Sequence, residues 1–109
     1  MTNKPIYTIL SSPAHIADFL NDMTIDAYNA DLIVRRAVER EFEILGEILK
    51  RLRDNFPELH AKIPDAPQII GFRNVIAHGY DVVSDDRVYR IATEDVPRLR
   101  EVLVSIQSA

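Results

Sequence analysis

The chain contains no cysteine and only three glycines among its 109 residues. Without cysteine it forms no disulfide and carries out no thiol chemistry, which fits a cytosolic protein. It has no run of 18 apolar residues, so the sequence predicts no membrane span. Its first residues also lack the basic start and apolar block of a signal peptide. The length predicts one domain, residues 1–109, with a single hydrophobic core.

Positive charge is scarce as well, since 13 Lys and Arg residues face 17 Asp and Glu residues and the net charge is −4. That balance counts against broad, nonspecific nucleic-acid binding but permits a local basic site. No histidine lies near another or near an Asp/Glu pair at ligand spacing, so we predict no metal site. With no glycine-rich phosphate loop and no nucleophile elbow, we predict no bound cofactor either.

The few glycines and the long stretches of Ala, Leu, Glu and Arg favour helix throughout. Ser12 followed by Pro13 has the pattern of a helix start, a capping residue with proline at the first helical position. The sequence therefore predicts a first helix from there to about Asp22, preceded by a short irregular segment over residues 1–12.

The longest predicted helix begins at a cap, Asn29 or Asp31, and ends near Asn55. Its apolar residues keep a helical period over six turns and form an arc wider than one partner helix needs. Gly46 interrupts it at a cost of about 1 kcal/mol relative to alanine, which suggests close approach of another backbone. Ahead of this helix, Thr24 is predicted to cap a short turn.

A further turn of helix is predicted at Pro57, and a central helix follows that ends at Gly79 as its C-terminal cap. The last helical region is predicted to bend or split near Pro97, with Thr93 as the cap of its second part. We see no internal repeat and no strand alternation. These elements predict an all-α antiparallel bundle of four to five helices, with the long and central helices in its middle.

Residues 71–80 (GFRNVIAHGY) close the central helix and hold four polar side chains suited to chemistry. On an ideal wheel, Asn74 and His78 share one face. Arg73 instead starts from the apolar side, where a charge needs either a carboxylate partner or a route to a polar groove. His78 lies at the helix C-terminus, which favours the imidazolium form. Tyr80 lies just beyond the end of the helix.

This set of side chains suits metal-independent cleavage of an RNA phosphodiester. Histidine can remove the 2′-hydroxyl proton or protonate the leaving oxygen, and arginine can stabilise charge on the phosphoryl oxygens. Acid–base cleavage of this kind uses two proton-transfer groups, whereas one copy supplies only His78. A symmetric dimer would supply both, and Gly71, on the face of Asn74, would let two such helices approach closely.

The same residues can also have purely structural roles. His78 before a glycine can be simply a capping residue. Arg73 can form a structural ion pair with Glu41, which projects into the apolar arc of the long helix. Tyr80 can be a core aromatic residue whose hydroxyl reaches the surface. His15 is predicted to be a surface residue without a role, as is His60.

Several blocks of the sequence resemble those of a known family. The segment RNVIAHGY at residues 73–80 resembles the Arg-Asn-x-x-x-His-x-Tyr signature of HepT-like toxins, a family of the HEPN superfamily. The blocks AVER (37–40) with EILGE (43–47), IIGF (69–72) and DVPRL (95–99) are similar to further blocks of that family, in the same order. The likeness covers residues 14–107.

The resemblance implies the toxin of a type VII toxin–antitoxin system. It implies a homodimer with a composite ribonuclease site, in which Arg73 and His78 are the catalytic pair and Asn74 supports them. It further implies a minimal nucleotidyltransferase antitoxin that transfers AMP to Tyr80. An anionic group two residues from His78 would repel an RNA phosphate. Glu41 and Glu47 are the candidates for positioning Arg73.

The expected substrate is tRNA or mRNA, since cleavage of either would arrest growth. A second hypothesis belongs to a different class of function: a non-catalytic HEPN subunit that presents a nucleotide or substrate to a nucleotidyltransferase partner. The acidic net charge slightly favours this second role.

Overall fold

The computed structural model describes the backbone of residues 4–78 and 85–108 and the side chains of residues 9–76 and 85–107. Within those ranges the chain is helical, with no strand, so the predicted all-α bundle is confirmed. None of the described helices combines the length and the apolar character needed to cross a membrane. The elements are α1 (Lys4–Phe19), α2 (Ile25–Ala30), α3 (Leu32–Asn55), α4 (Pro57–His60), α5 (Ala66–His78), α6 (Asp85–Arg90), a π-helical turn (Ile91–Asp95) and α7 (Val96–Ser108).

The long helix α3 is the centre of the bundle and packs against α1, α2, α4 and α5. It begins at Asp31, whose Oδ1 accepts a hydrogen bond of 3.1 Å from the backbone N–H of Val34, as the capping prediction required. Thr24 likewise caps α2 through its hydroxyl oxygen, and α4 begins at Pro57 as predicted. The core-facing side of α3 consists of Val38, Phe42, Leu45, Leu49 and Leu52.

The prediction of an irregular segment over residues 1–12 is wrong, because α1 already begins at Lys4 and contains Pro13 within it. Proline inside a helix costs about 3 kcal/mol. Complete burial of Ile9 one turn earlier offsets much of that, since burying such a side chain is worth about 1.5–3 kcal/mol. Ser12, only 2% exposed, lies in the packed interior and not at a solvent-exposed helix start.

The last helical region also differs from the prediction, because α6 and α7 are joined by the π-helical turn and not by a new start capped at Thr93. The Thr93 hydroxyl donates back to the carbonyl of Tyr89 at 2.8 Å. Pro97 has no N–H to donate to the carbonyl four residues earlier. The wider π-helical turn accommodates this missing hydrogen bond. In it, the N–H of Val96 bonds to the carbonyl of Ile91, five residues before it.

A tilted ring contact between Tyr28 and Tyr89 connects α2 with α6, with ring centroids 5.6 Å apart and ring planes at 50°. The hydroxyl of Tyr89 donates a hydrogen bond of 2.8 Å to the carbonyl of Met23. The hydroxyl of Tyr28 is buried and has no partner among the described residues. Burial, reinforced by the negative charge of Glu39 and Asp85, raises the pKa of the Tyr28 phenol well above its ordinary value.

We predict opposite effects on stability from removing the two hydroxyl groups. Tyr28→Phe removes a buried polar group without a partner and should leave the free energy of unfolding unchanged or raise it by up to about 1 kcal/mol. Tyr89→Phe removes a hydrogen bond that the folded chain forms and should lower the free energy of unfolding by about 0.5–1.5 kcal/mol. Urea unfolding of both variants measures the difference, and an equal loss in the two would contradict the prediction.

The buried phenol of Tyr28 also predicts that the free energy of unfolding depends on pH. A phenol in the unfolded chain ionises near pH 10, whereas that of Tyr28 in the folded chain stays protonated to higher pH. Above about pH 10 the unfolded state therefore binds fewer protons, and the free energy of unfolding falls by up to about 1.4 kcal/mol per pH unit. Tyr28→Phe should reduce this alkaline loss in urea unfolding measured between pH 9 and 11, and an unchanged loss would contradict the prediction.

Candidate active site

The helix α5 turns one side to the core and the other to solvent. Ile69 and Phe72 are buried, whereas Gly71 and Asn74 are exposed and Val75 keeps 43% of its surface exposed. For these residues the predicted division of the helix into two faces is confirmed. At Gly71, Asn74 and Val75, one face of α5 is therefore uncovered by the part of the chain that the structure describes.

The start of α5 is fixed to α7 by a two-pronged ion pair. Nε and Nη2 of Arg98 donate to the two carboxylate oxygens of Asp65 at 3.1 and 3.0 Å, and Nη2 also reaches Asp95 at 2.9 Å. These hydrogen bonds raise the pKa of Arg98 above its already high value. Because Asp65 immediately precedes α5 and is only 8% exposed, the ion pair fixes where the motif helix begins.

Arg73 leaves α5 on the side that faces α3, at the position of Gly46. A methyl group built on Gly46 would lie 2.6 Å from Cγ of Arg73 and nearer still to its Cβ. The sequence indicated close approach of another backbone at this glycine, whereas the group that occupies the space is the Arg73 side chain. Gly46 therefore makes room for the stem of the arginine, and 28% of the Arg73 side chain remains exposed.

The Arg73 guanidinium has polar partners on both helices. Its Nη1 donates to Oδ1 of Asn74 at 3.1 Å, and its Nη2 lies 3.5 Å from Oε2 of Glu47. Glu47 also pairs with Arg51 at 3.6 Å, so one carboxylate serves two arginines. The Nε of Arg73 is buried and has no acceptor among the described residues. A buried donor without an acceptor costs about 1–3 kcal/mol, so the site keeps an arginine that is only partly satisfied.

Of the two carboxylates considered as partners of Arg73, Glu47 is the one in contact. Glu41 pairs instead with Nδ1 of His15 on α1, at 3.1 Å, so the proposed Arg73–Glu41 ion pair is wrong. The two glutamates are six residues apart, which turns them about 120° from each other around α3. Glu47 therefore faces α5 and Glu41 faces α1.

The remaining motif residues are described only in part. His78 is the last residue of α5, one turn after Asn74, which puts the two positions on one face of the helix. Its side chain lies outside the described residues, as do Gly79 and Tyr80. The predicted glycine cap, the capping role considered for His78 and the core position considered for Tyr80 therefore stay predictions.

The structure adds one cation beside α5 that sequence reasoning did not single out. Cζ of Arg87, on α6, lies 5.2 Å from the ring centroid of Phe72. The same ring contacts Phe42 on α3 in a T-shaped arrangement, with centroids 5.1 Å apart and ring planes at 89°. No spacing in the sequence links Arg87 to residue 72, because the contact joins two helices through tertiary packing.

Two surface clefts of about 530 and 520 Å³ lie away from Arg73. The first is bordered by α2, α6 and the π-helical turn, and the second by α1, the π-helical turn and α7. Within residues 9–76 and 85–107, no group of three or more His, Asp or Glu residues is arranged to hold a metal ion. The first cleft is lined by Ile25, Asp86, Arg87, Tyr89, Arg90, Thr93 and Glu94.

Comparison with known proteins identifies the relatives of the chain. Residues 9–106 match the model of a family described as "Ribonuclease HepT-like". A relative from Methanocaldococcus jannaschii named "Putative RNase" is 30% identical over 98 residues, 88% of this chain and 87% of the relative. A second relative from that organism with the same name is 28% identical over 106 residues, 94% and 87% of the two chains. A "Probable ribonuclease HepT" from Thermococcus cleftensis is 28% identical over 85 residues, 78% and 76% of the two chains. No solved structure matches the chain significantly.

The contact between Gly46 and Arg73 predicts opposite effects of alanine at two helical glycines. Gly46→Ala gains about 1 kcal/mol of helix propensity but forces a methyl group into the arginine stem, and such overpacking costs about 1–3 kcal/mol. Gly71→Ala, with no atom within 4 Å, should be stabilising by up to about 1 kcal/mol. Urea unfolding at concentrations where the chain is monomeric tests this, and a Gly46→Ala variant as stable as Gly71→Ala would contradict the contact.

Proposed function

The chain belongs to the HepT-like ribonuclease family, and we propose that it cleaves RNA without a metal ion through Arg73 and His78, with Asn74 in support. The observation that carries this proposal is the state of Arg73. It is half-buried and held by Asn74 and Glu47, and 28% of its side chain remains exposed. An arginine fixed in this way next to an exposed helix face is suited to bind a phosphate and not only to hold two helices together.

The proposed reaction is an internal transfer at phosphorus. A histidine removes the proton of the 2′-hydroxyl, the 2′-oxygen forms a bond to phosphorus, and the bond to the 5′-oxygen breaks. The leaving 5′-oxygen takes a proton from a second acid, which leaves a 2′,3′-cyclic phosphate. Arg73 stabilises the negative charge that gathers on the phosphoryl oxygens. Asn74 orients the guanidinium through its 3.1 Å hydrogen bond.

Two copies of the chain would supply the two proton-transfer groups that this reaction uses. The uncovered face of α5 supports such a dimer, because Asn74 and the apolar Val75 are exposed there. Gly71 on the same face has no atom within 4 Å and would allow a second helix to approach closely. A two-fold axis at this face would bring both copies of α5, and hence both His78 positions, to one groove.

We further propose that the chain is the toxin of a type VII toxin–antitoxin system in the cytoplasm, with tRNA or mRNA as substrate. A minimal nucleotidyltransferase antitoxin would silence it through Tyr80. In that step the Tyr80 phenol oxygen attacks the α-phosphorus of ATP, loses its proton and forms a new P–O bond, and pyrophosphate leaves. The added AMP is bulky and anionic, and two residues from His78 it would block the groove and repel an RNA phosphate.

Loss of the motif side chains should abolish cleavage. We expect Arg73→Ala to lower the rate by about 10²–10³-fold, because it removes charge stabilisation. His78→Ala should lower it by about 10²–10⁴-fold, because it removes a proton-transfer group. The assay follows cleavage of labelled tRNA and mRNA in the presence of EDTA, with the cyclic phosphate end as product.

The matched control for His78→Ala is His15→Ala, which removes a histidine paired with Glu41 on the side of α3 that faces α1 and should leave the rate unchanged. Cleavage that survives both Arg73→Ala and His78→Ala would exclude the proposed chemistry. A wild-type chain that cleaves no RNA, yet forms a stable complex with a nucleotidyltransferase, would favour the non-catalytic binding subunit.

The regulatory step predicts a change in mass. Expression together with the proposed nucleotidyltransferase antitoxin should add AMP units to the intact chain and suppress RNA cleavage. Tyr80→Phe lacks the acceptor oxygen and should keep both its original mass and its cleavage activity under the same conditions. Addition of AMP to Tyr80→Phe, or full cleavage by the modified wild-type chain, would contradict Tyr80 as the regulatory site.

A further inference from the structure

Most arginines of the chain are neutralised by neighbouring carboxylates. In a chain of net charge −4 this is the expected state of surface cations. Among the described residues, three arginines have no carboxylate within 4 Å: Arg87, Arg90 and Arg100. Two of them lie one helical turn apart on α6, where like charges repel each other. The seven paired arginines are Arg35, Arg36, Arg40, Arg51, Arg53, Arg73 and Arg98.

The position of Arg87 is set by the core and not by another charge. Its guanidinium lies over the ring of Phe72, and that ring is 1% exposed and held in a T-shaped contact with Phe42. A guanidinium stacked on an aromatic ring keeps its N–H groups at its rim available for acceptors. Phe72 directly precedes Arg73, and consecutive Cα atoms are about 3.8 Å apart. Arg87 therefore places a positive charge against the residue of α5 that directly precedes Arg73.

Arg90 extends this positive charge along a cleft. Both arginines line the cleft of about 530 Å³, which also contains Tyr89 and Thr93. Two carboxylates border the same cleft. Asp86 is engaged by the side-chain amide of Asn29 at 3.1 Å, and Glu94 lies at the end nearer the π-helical turn. Neither carboxylate lies within 4 Å of a guanidinium nitrogen of Arg87 or Arg90, so neither forms an ion pair with these two arginines.

We propose that Arg87 binds a backbone phosphate of the RNA substrate other than the one that is cleaved, and that Arg90 prolongs this path into the cleft. This inference rests on the proposed ribonuclease function and names a substrate-binding residue outside the motif. A single RNA strand carries one negative charge per nucleotide, and the planar guanidinium can donate two parallel hydrogen bonds to one phosphate. The role is one of binding, since Arg87 takes no part in the proton transfers.

The test measures binding apart from cleavage. A fluorescent single-stranded oligoribonucleotide with 2′-O-methyl groups cannot be cleaved, because the attacking hydroxyl is blocked. Its affinity is measured by anisotropy at several salt concentrations. Arg87→Met keeps the apolar stem on Phe72 and removes the charge, so it should weaken binding by about 5- to 20-fold at low salt. The slope of log affinity against log salt should fall by about 0.7, the value for one phosphate contact on a single strand.

Arg100→Met is the matched control, because Arg100 is also exposed and without a carboxylate partner but lines the other cleft. It should leave affinity and salt slope unchanged. With cleavable RNA at saturation, Arg87→Met should keep a cleavage rate within about twofold of wild type, because a binding residue acts mainly on KM. Thermal unfolding of each variant establishes that it is folded, and Arg87→Lys, which keeps the charge, should restore most of the salt slope.

Equal affinities of Arg87→Met and Arg100→Met would overturn the inference and leave the proposed function intact. Unchanged affinity together with a lost cleavage rate would also overturn it. So would weaker binding to a nucleotidyltransferase without any change in RNA affinity, because Arg87 would then belong to a protein-binding surface. A wild-type chain that neither binds nor cleaves RNA would end the proposed function and this inference together.

Discussion

The packing of α5 against α3 is the contact on which the rest of the candidate site depends. It has two parts at successive positions of α5: Phe72 meets Phe42 in a T-shaped ring contact, and the space left by Gly46 receives the stem of Arg73. The aromatic contact buries α5, and the glycine lets a charged side chain leave from the buried side without a collision. Without this space the guanidinium could not reach Glu47 while the helix stayed seated on the core.

Local signals in the sequence predicted those parts of the fold that local physics decides. Asp31 caps the long helix as expected, because a carboxylate at that position satisfies a free N–H whatever the surroundings. Pro13 misled the prediction, because the same residue type that favours a helix start is tolerated inside α1 once Ile9 is buried. The π-helical turn was missed for a similar reason, since a widened turn before Pro97 leaves no mark in hydrophobic spacing.

For the site, the sequence placed Arg73 on the apolar side of α5 and restricted its partner to two glutamates. The sequence could not identify Glu47 as the partner of Arg73, because the partner depends on how α3 and α5 are rotated against each other. It gave no role to Arg87, because the contact with Phe72 arises only when α6 folds against α5. Periodicity within one helix predicts which of its faces is buried, whereas contacts between side chains of different helices follow from tertiary packing.

The two contacts of α3 with α5 also constrain how the length of the chain can change. Phe42 and Gly46 are four residues apart, so they lie on one face only while the helix between them keeps its residue count. An inserted or deleted residue there would turn everything beyond it by about 100° and would also carry Glu47 away from Arg73. In descendants of this sequence, insertions and deletions should therefore collect in the connections between helices, and this stretch of α3 should keep a constant length.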